Sequence, residues 1–157
     1  MLHPCWFMEG FKYPGSQIMA PQLENGLLFG VLSEDTPIKL NSSEDTARFA
    51  RNTFERPEDF NKADINIAGS ELSMKEITKI ISEVKNMEVV YRKESYEKSL
   101  ENGLLEGTIA SLQWMEAVLG YGFDIKETEK YDVTLKDFKT WVKENKEEII
   151  VNKSYEN

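Results

Sequence analysis

Residues 64–91 read DINIAGSELSMKEITKIISEVKNMEVVY, and this stretch decides the fold class. Asp64-Ile65-Asn66-Ile67-Ala68 alternates polar and apolar residues, the period of a strand with Ile65 and Ile67 on one face. Gly69 breaks it. Ser73-Met74-Lys75-Glu76 is a capping box: the serine accepts from the N3 amide and the glutamate reaches back to the cap. Met74, Ile77, Ile80, Ile81 and Val84 then follow the 3.6-residue period, which predicts a helix over 73–86. Met87-Glu88-Val89-Val90-Tyr91 reads as a second strand. A strand, a capped helix and a strand in succession predict an α/β architecture.

Working outward toward the C-terminus, a helix is predicted over 104–119 with Leu105, Ile109, Leu112, Trp114, Met115 and Leu119 as its apolar set and Gly120 as its left-handed stop. Thr134-Leu135-Lys136-Asp137 opens a last helix with Phe138, Trp141 and Val142 inward. The domain is expected to run over 1–146, with 147–157 a charged, fraying tail. Toward the N-terminus, Ser42 caps a helix that begins with Glu44 and Asp45, carries Ala47, Phe49, Ala50 and Phe54, and ends before Pro57. LLFGVL (27–32) and PIKL (37–40), separated by Ser33-Glu34-Asp35-Thr36, are expected to pair as a hairpin. The first 26 residues, aromatic-rich and broken by Pro4, Pro14, Pro21, Gly10, Gly15 and Gly26, read as short turns and loops in which Phe7, Met8 and Phe11 share a face. Few strands without a regular βαβ succession argue against a complete doubly wound sheet.

The chain has 157 residues, about one domain's length, with hydrophobic residues at 40% and charged residues at 30%. Nineteen Lys+Arg against 28 Asp+Glu leave a net charge of −9, and no basic patch stands out; nucleic acid is not an expected partner. No apolar run approaches the ~18–20 residues of a membrane span, and the start lacks a secretory pattern, so neither membrane association nor export is expected and the cytoplasm is the expected compartment. One cysteine, Cys5, excludes an intrachain disulfide.

The nine glycines never form the glycine-rich turn that lets backbone amides approach a pyrophosphate. No tyrosine has a lysine four residues on, and the one histidine, His3, reads as an exposed terminal side chain rather than a catalytic base. Cys5 has no basic neighbour nearer than His3 and reads as a small apolar residue with an ordinary thiol. The acid runs 43–45, 55–59 and 144–148 fit helix starts and solvated faces, so no metal site is expected. Trp6, Phe7, Phe11 and Tyr13 are either core or the lining of an apolar pocket.

His3-Pro4-Cys5-Trp6-Phe7-Met8-Glu9-Gly10-Phe11 resembles the R-P-x-x-F-M-E-N-F segment of NmrA-like proteins, relatives of the short-chain dehydrogenases. Residues 44–50, 60–73 and the helix and strand of 73–91 are similar, in order, to further segments of that family, and the likeness covers roughly residues 3–145. His3 replaces the usual arginine, Gly10 the usual asparagine, and Asn86 a common glycine. The resemblance is to the C-terminal half alone. It implies a partial Rossmann-type fold lacking the N-terminal dinucleotide-binding half, helix-rich with a few short strands. It also implies NAD(P) as cofactor, with Pro4, Cys5, Trp6 and Phe7 beside it and Met8 and Phe11 lining a substrate pocket. No catalytic residue is assigned. Three roles are expected: a substrate- or partner-binding portion without dinucleotide binding of its own; part of an NAD(P)H-dependent oxidoreductase whose cofactor half is a separate, complementing chain; or an interaction module that uses an uncovered apolar face for self-association or partner binding.

Overall fold

The computed structural model describes residues 1–155. Along the chain run β1 (Leu2–Pro4), β2 (Trp6–Phe7), a 3₁₀ turn at Met8–Phe11, α1 (Ser16–Met19), a 3₁₀ turn at Leu23–Asn25, β3 (Leu27–Gly30) and β4 (Pro37–Asn41). Then come α2 (Ser43–Glu55), β5 (Ile65–Ile67), β6 (Ser70–Ser73), α3 (Met74–Lys85), β7 (Val90–Lys93) and α4 (Tyr96–Glu101). The rest holds α5 (Glu106–Ala117), a 3₁₀ stretch at Ile125–Tyr131 and α6 (Phe138–Glu144). The fold is mixed α/β with small, mostly parallel sheets: β1 with β5, β2 with β4 and β6, and β3 with β7.

The predicted capping box is present: Ser73 Oγ accepts from the Glu76 amide and the Glu76 carboxylate accepts from the Ser73 amide. Asn86 ends α3 at φ 53, in the left-handed region that a glycine commonly fills and that asparagine tolerates. Ser42 caps α2 as expected, accepting from the Asp45 amide. Gly120 also lies where predicted, at φ 86, its amide returning to the Met115 carbonyl; a Cβ there would stand 2.4 Å from the Pro37 carbonyl oxygen.

Several expectations are corrected. LLFG and PIKL do not form a hairpin: β3 pairs in parallel with β7, and β4 pairs in parallel with β2 and antiparallel with β6. Nearly every residue of both strands is buried, the signature of strands covered on both faces, which a two-stranded ribbon would leave open. On α2, Asp45 and Phe49 face inward, one turn apart; Phe54, five positions beyond Phe49 and so ~140° around the helix, is exposed. The second strand begins at Val90 rather than Met87. The last helix is capped by Asp137, not Thr134, through a bond from the Thr140 amide. The segment after Lys146 does not fray through Tyr155. Ile149 and Val151 are buried, and the amides of Asn152 and Tyr155 donate to the carbonyls of Glu24 and Glu88. The apolar residues between its charges outweigh the charge run that suggested a tail; Glu156 and Asn157 lie outside the described residues.

Two cores result. The larger packs Met8, Phe11, Ile77, Ile81, Met115 and Phe138 among others, with Phe138 edge-on to Phe11 at 5.4 Å. The smaller gathers Phe49, Phe60, Ile65, Ile67 and Val133 around the β1–β5 pair.

Candidate functional site

The N-terminal strands change partner at Cys5. Leu2 to Pro4 lie beside Ile65 to Ile67, the Cys5 amide still donates to the Ile67 carbonyl at 3.2 Å, and Trp6 and Phe7 then lie beside Leu40 and Asn41. A sheet that divides this way leaves a crevice at the carboxyl ends of its strands, the place where open α/β sheets bind ligands. A cleft of about 730 Å³ opens there, within the size range of small-molecule sites.

Cys5, Trp6 and Phe7 form one side of the cleft. Gly10, in the 3₁₀ turn, and Met19, at the end of α1, form its floor. Ala110, Ser111, Trp114 and Met115 supply the opposite wall from α5, and Tyr121 closes one end. The Trp114 and Tyr121 rings meet edge-on at 5.7 Å. Lys39 holds the Tyr121 end in place: its ammonium, buried to 3% exposure, donates to the Tyr121 carbonyl at 2.7 Å, pairs with Glu71 at 2.6 Å and lies 5.1 Å from the Phe123 ring centre.

No lining residue is ionised at neutral pH. Burial pushes the Cys5 thiol up to about 12, against a partial downward pull from Lys39. Burial likewise raises the Tyr121 phenol to about 12, with the nearby Cys5 sulfur adding to the rise. A thiol held protonated is a poor nucleophile, so Cys5 acts here as apolar surface.

Of the residues singled out from sequence, Cys5, Trp6 and Phe7 lie on the cleft and Pro4 lies one residue outside it, exposed in β1. Met8 and Phe11 are 0% and 4% exposed and form the packed layer behind the cleft rather than its surface. Phe7 does not share their face: it sits in β2 at 41% exposure. Sequence reasoning missed the α5 wall. The signal for it was that α5 has apolar or small residues on both sides, so that Ile109, Leu112 and Met115 take the core while Ala110 and Trp114 remain for something else. Leu105, Trp114 and Leu119, expected inward, are 55%, 53% and 77% exposed.

Elsewhere, the Glu116 carboxylate joins α5 to the β3–β4 loop. It accepts from the Ser33 amide at 2.9 Å, from the hydroxyls of Ser33 and Thr36, and from Lys93 at 3.2 Å. Desolvation opposes its charge, but these donors outweigh it and hold the carboxyl down to about 2. His3 is half exposed and bonds Asp64 at 3.0 Å. Among the described residues, no three His, Cys, Asp or Glu side chains converge to hold a metal ion, and no helix is long and apolar enough to cross a membrane.

A model of the NmrA-like family matches residues 1–142. Among solved structures, a nucleoside-diphosphate-sugar epimerase from Staphylococcus aureus is similar at 18% identity and a TM-score of 0.71, over 90% of this chain and 50% of that one. The triphenylmethane reductase of Citrobacter sp. complexed with NADP(H) is similar at 16% identity and a TM-score of 0.66, over 90% of this chain and 51% of that one. An NADPH-dependent quinone oxidoreductase from Escherichia coli is similar at 16% identity and a TM-score of 0.62, over 89% and 52%. This chain thus spans about half the length of the structures it resembles. No curated protein matches it.

Proposed function

The chain belongs to the NmrA-like family, and on that premise we propose that it is the substrate- or partner-binding portion of an NAD(P)-binding protein, unable to hold a dinucleotide by itself. One observation carries this reading. The apolar cleft of about 730 Å³ is lined by Cys5-Trp6-Phe7, within the segment that the family resemblance sets beside a nicotinamide ring. Two structures of similar fold are described with NADP(H) or as NADPH-dependent. The cleft suits the nicotinamide end and a small substrate, but it does not fit the diphosphate. Its lining has no lysine or arginine, and its α5 residues are mid-helix, where amides are already bonded. Isothermal titration of NADPH into the chain should give at most weak heat; micromolar binding would defeat the reading.

A second reading makes the chain one part of an NAD(P)H-dependent oxidoreductase whose cofactor half is a separate polypeptide. It is favoured by β1, which pairs with β5 on one side and has no strand on the other among the described residues. Three-residue parallel strands normally belong to larger, doubly covered sheets. A neighbouring reading frame encoding a glycine-rich strand–turn–helix, whose product restores NADPH oxidation when mixed with this chain, would support it. A mixture that neither associates nor oxidises NADPH counts against it.

A further inference from the structure

Resting on the reading of the cleft as a small-molecule site, we infer that it takes a flat, uncharged ring system and that Gly10 sets how large that ring system can be. Four aromatic residues line these walls, Trp6 and Phe7 from β2, Trp114 from α5 and Tyr121 just beyond it. Planar rings gain most from such walls, by stacking and edge-on contact. A charged ligand would lose its hydration with no counter-ion in the lining, since Lys39 is already engaged by Glu71 and the Tyr121 carbonyl.

Gly10 is the point of closest packing in this arrangement. Its φ lies outside the left-handed region, so the backbone does not require glycine there. What the glycine provides is the close approach of Met19, which leaves no slack for a Cβ. A Cβ at this position would lie 3.2 Å from Met19 Cβ, 3.3 Å from Met19 Cγ and 3.6 Å from the Trp6 indole nitrogen. Any side chain here would have to displace Met19 or Trp6, both of which line the cleft, and so reduce the room left for a ligand.

The test is a binding series read by tryptophan fluorescence and calorimetry, with 9-anthracenemethanol, its carboxylate and methylammonium analogues, benzyl alcohol and 1-decanol. The neutral three-ring alcohol should bind the full chain at least about tenfold more tightly than either charged analogue or decanol. Gly10→Asn should weaken it about tenfold while changing benzyl alcohol about twofold or less, and Gly10→Ala should fall between. Trp114→Leu, on an exposed side chain that folding does not need, should weaken the three-ring alcohol from the opposite wall. Thermal midpoints confirm that each variant is folded, and Gly10→Ala carries the test should Gly10→Asn not fold. Equal binding of charged, aliphatic and aromatic probes, or folded Gly10 variants that bind like the parent, would overturn the inference and leave the reading of the cleft intact. Micromolar binding of NADPH to the same sample defeats the reading of the chain and leaves the Gly10 comparison standing. Silence of every probe at millimolar concentration removes both.

Discussion

The larger core lies behind α3, a helix with its own capping box, and receives Ile149 and Val151 from the C-terminal segment. The smaller core sets Phe49, Ile65 and Ile67 around two three-residue strands, each with one edge unpaired by a strand among the described residues. The first is held by local helix signals and by burial from many elements. The second depends on pairing between Met1–Pro4 and 65–67, more than sixty residues apart, with little local preference to support either strand. The cleft lies along the line where the chain crosses from one core to the other, at Cys5. Its position therefore follows from the division of the sheet.

That contrast can be broken or sharpened. The largest effect should come from ending the chain after Lys146. Losing Ile149 and Val151 from the larger core removes about 3–6 kcal/mol of burial before the main-chain bonds to Glu24 and Glu88 are counted. Chemical denaturation should show a lowered midpoint, and an unchanged one would place the segment outside the core. Next, Phe49→Ala should cost about 3–5 kcal/mol. If the smaller core unfolds separately, transitions followed by far-ultraviolet dichroism and by tryptophan fluorescence, whose buried reporter Trp141 lies in the larger core, will diverge in this variant; coincident curves would make the two cores one cooperative unit.

Glu116→Gln should cost about 1.5–3 kcal/mol at neutral pH, since it weakens charge-assisted bonds from Ser33, Thr36 and Lys93. The folded carboxyl sits at about 2 against an ordinary 4.5, so its stabilisation is present above about pH 4.5 and is lost as pH falls toward 2. The gap between parent and variant should close over that window, and a gap independent of pH would refute the charge as its cause. Ser73→Ala, which removes half of the capping box on α3, should cost about 1 kcal/mol. Arg51→Ala, which removes an exposed pair with Glu55, should change stability by about 0.5 kcal/mol or less.

The readable parts of the chain were those whose determinants are short-range. Ser73 and Glu76, three residues apart, predict α3, and Ser42 with Asp45 predicts the start of α2. The site was legible on one wall: Trp6 and Phe7 lie in a segment whose resemblance to a family motif pointed at them. The α5 wall was not, because Trp114 was grouped with Ile109 and Leu112 as apolar although it stands five and two positions from them, ~140° and ~200° around the helix, and only the packed neighbours decide what covers a second apolar side. The hairpin failed for a related reason. LLFG and PIKL satisfy strand chemistry equally well with any partner, and pairing with β2, β6 and β7 wins because it places both strands where the rest of the core covers both their faces.

By itself, then, the order of residues determined the α/β class, the caps of α2 and α3, the left-handed Gly120 after α5, and the family. Tertiary structure alone decided which strands lie side by side, that the charged C-terminal segment closes the larger core, and that Gly10 and Met19 meet Trp6 and Trp114 around one cleft. Caps and helical periods are written within a few residues of chain, whereas strand partners and pocket walls depend on the free energy of burying surfaces that are distant in sequence, which no short window contains.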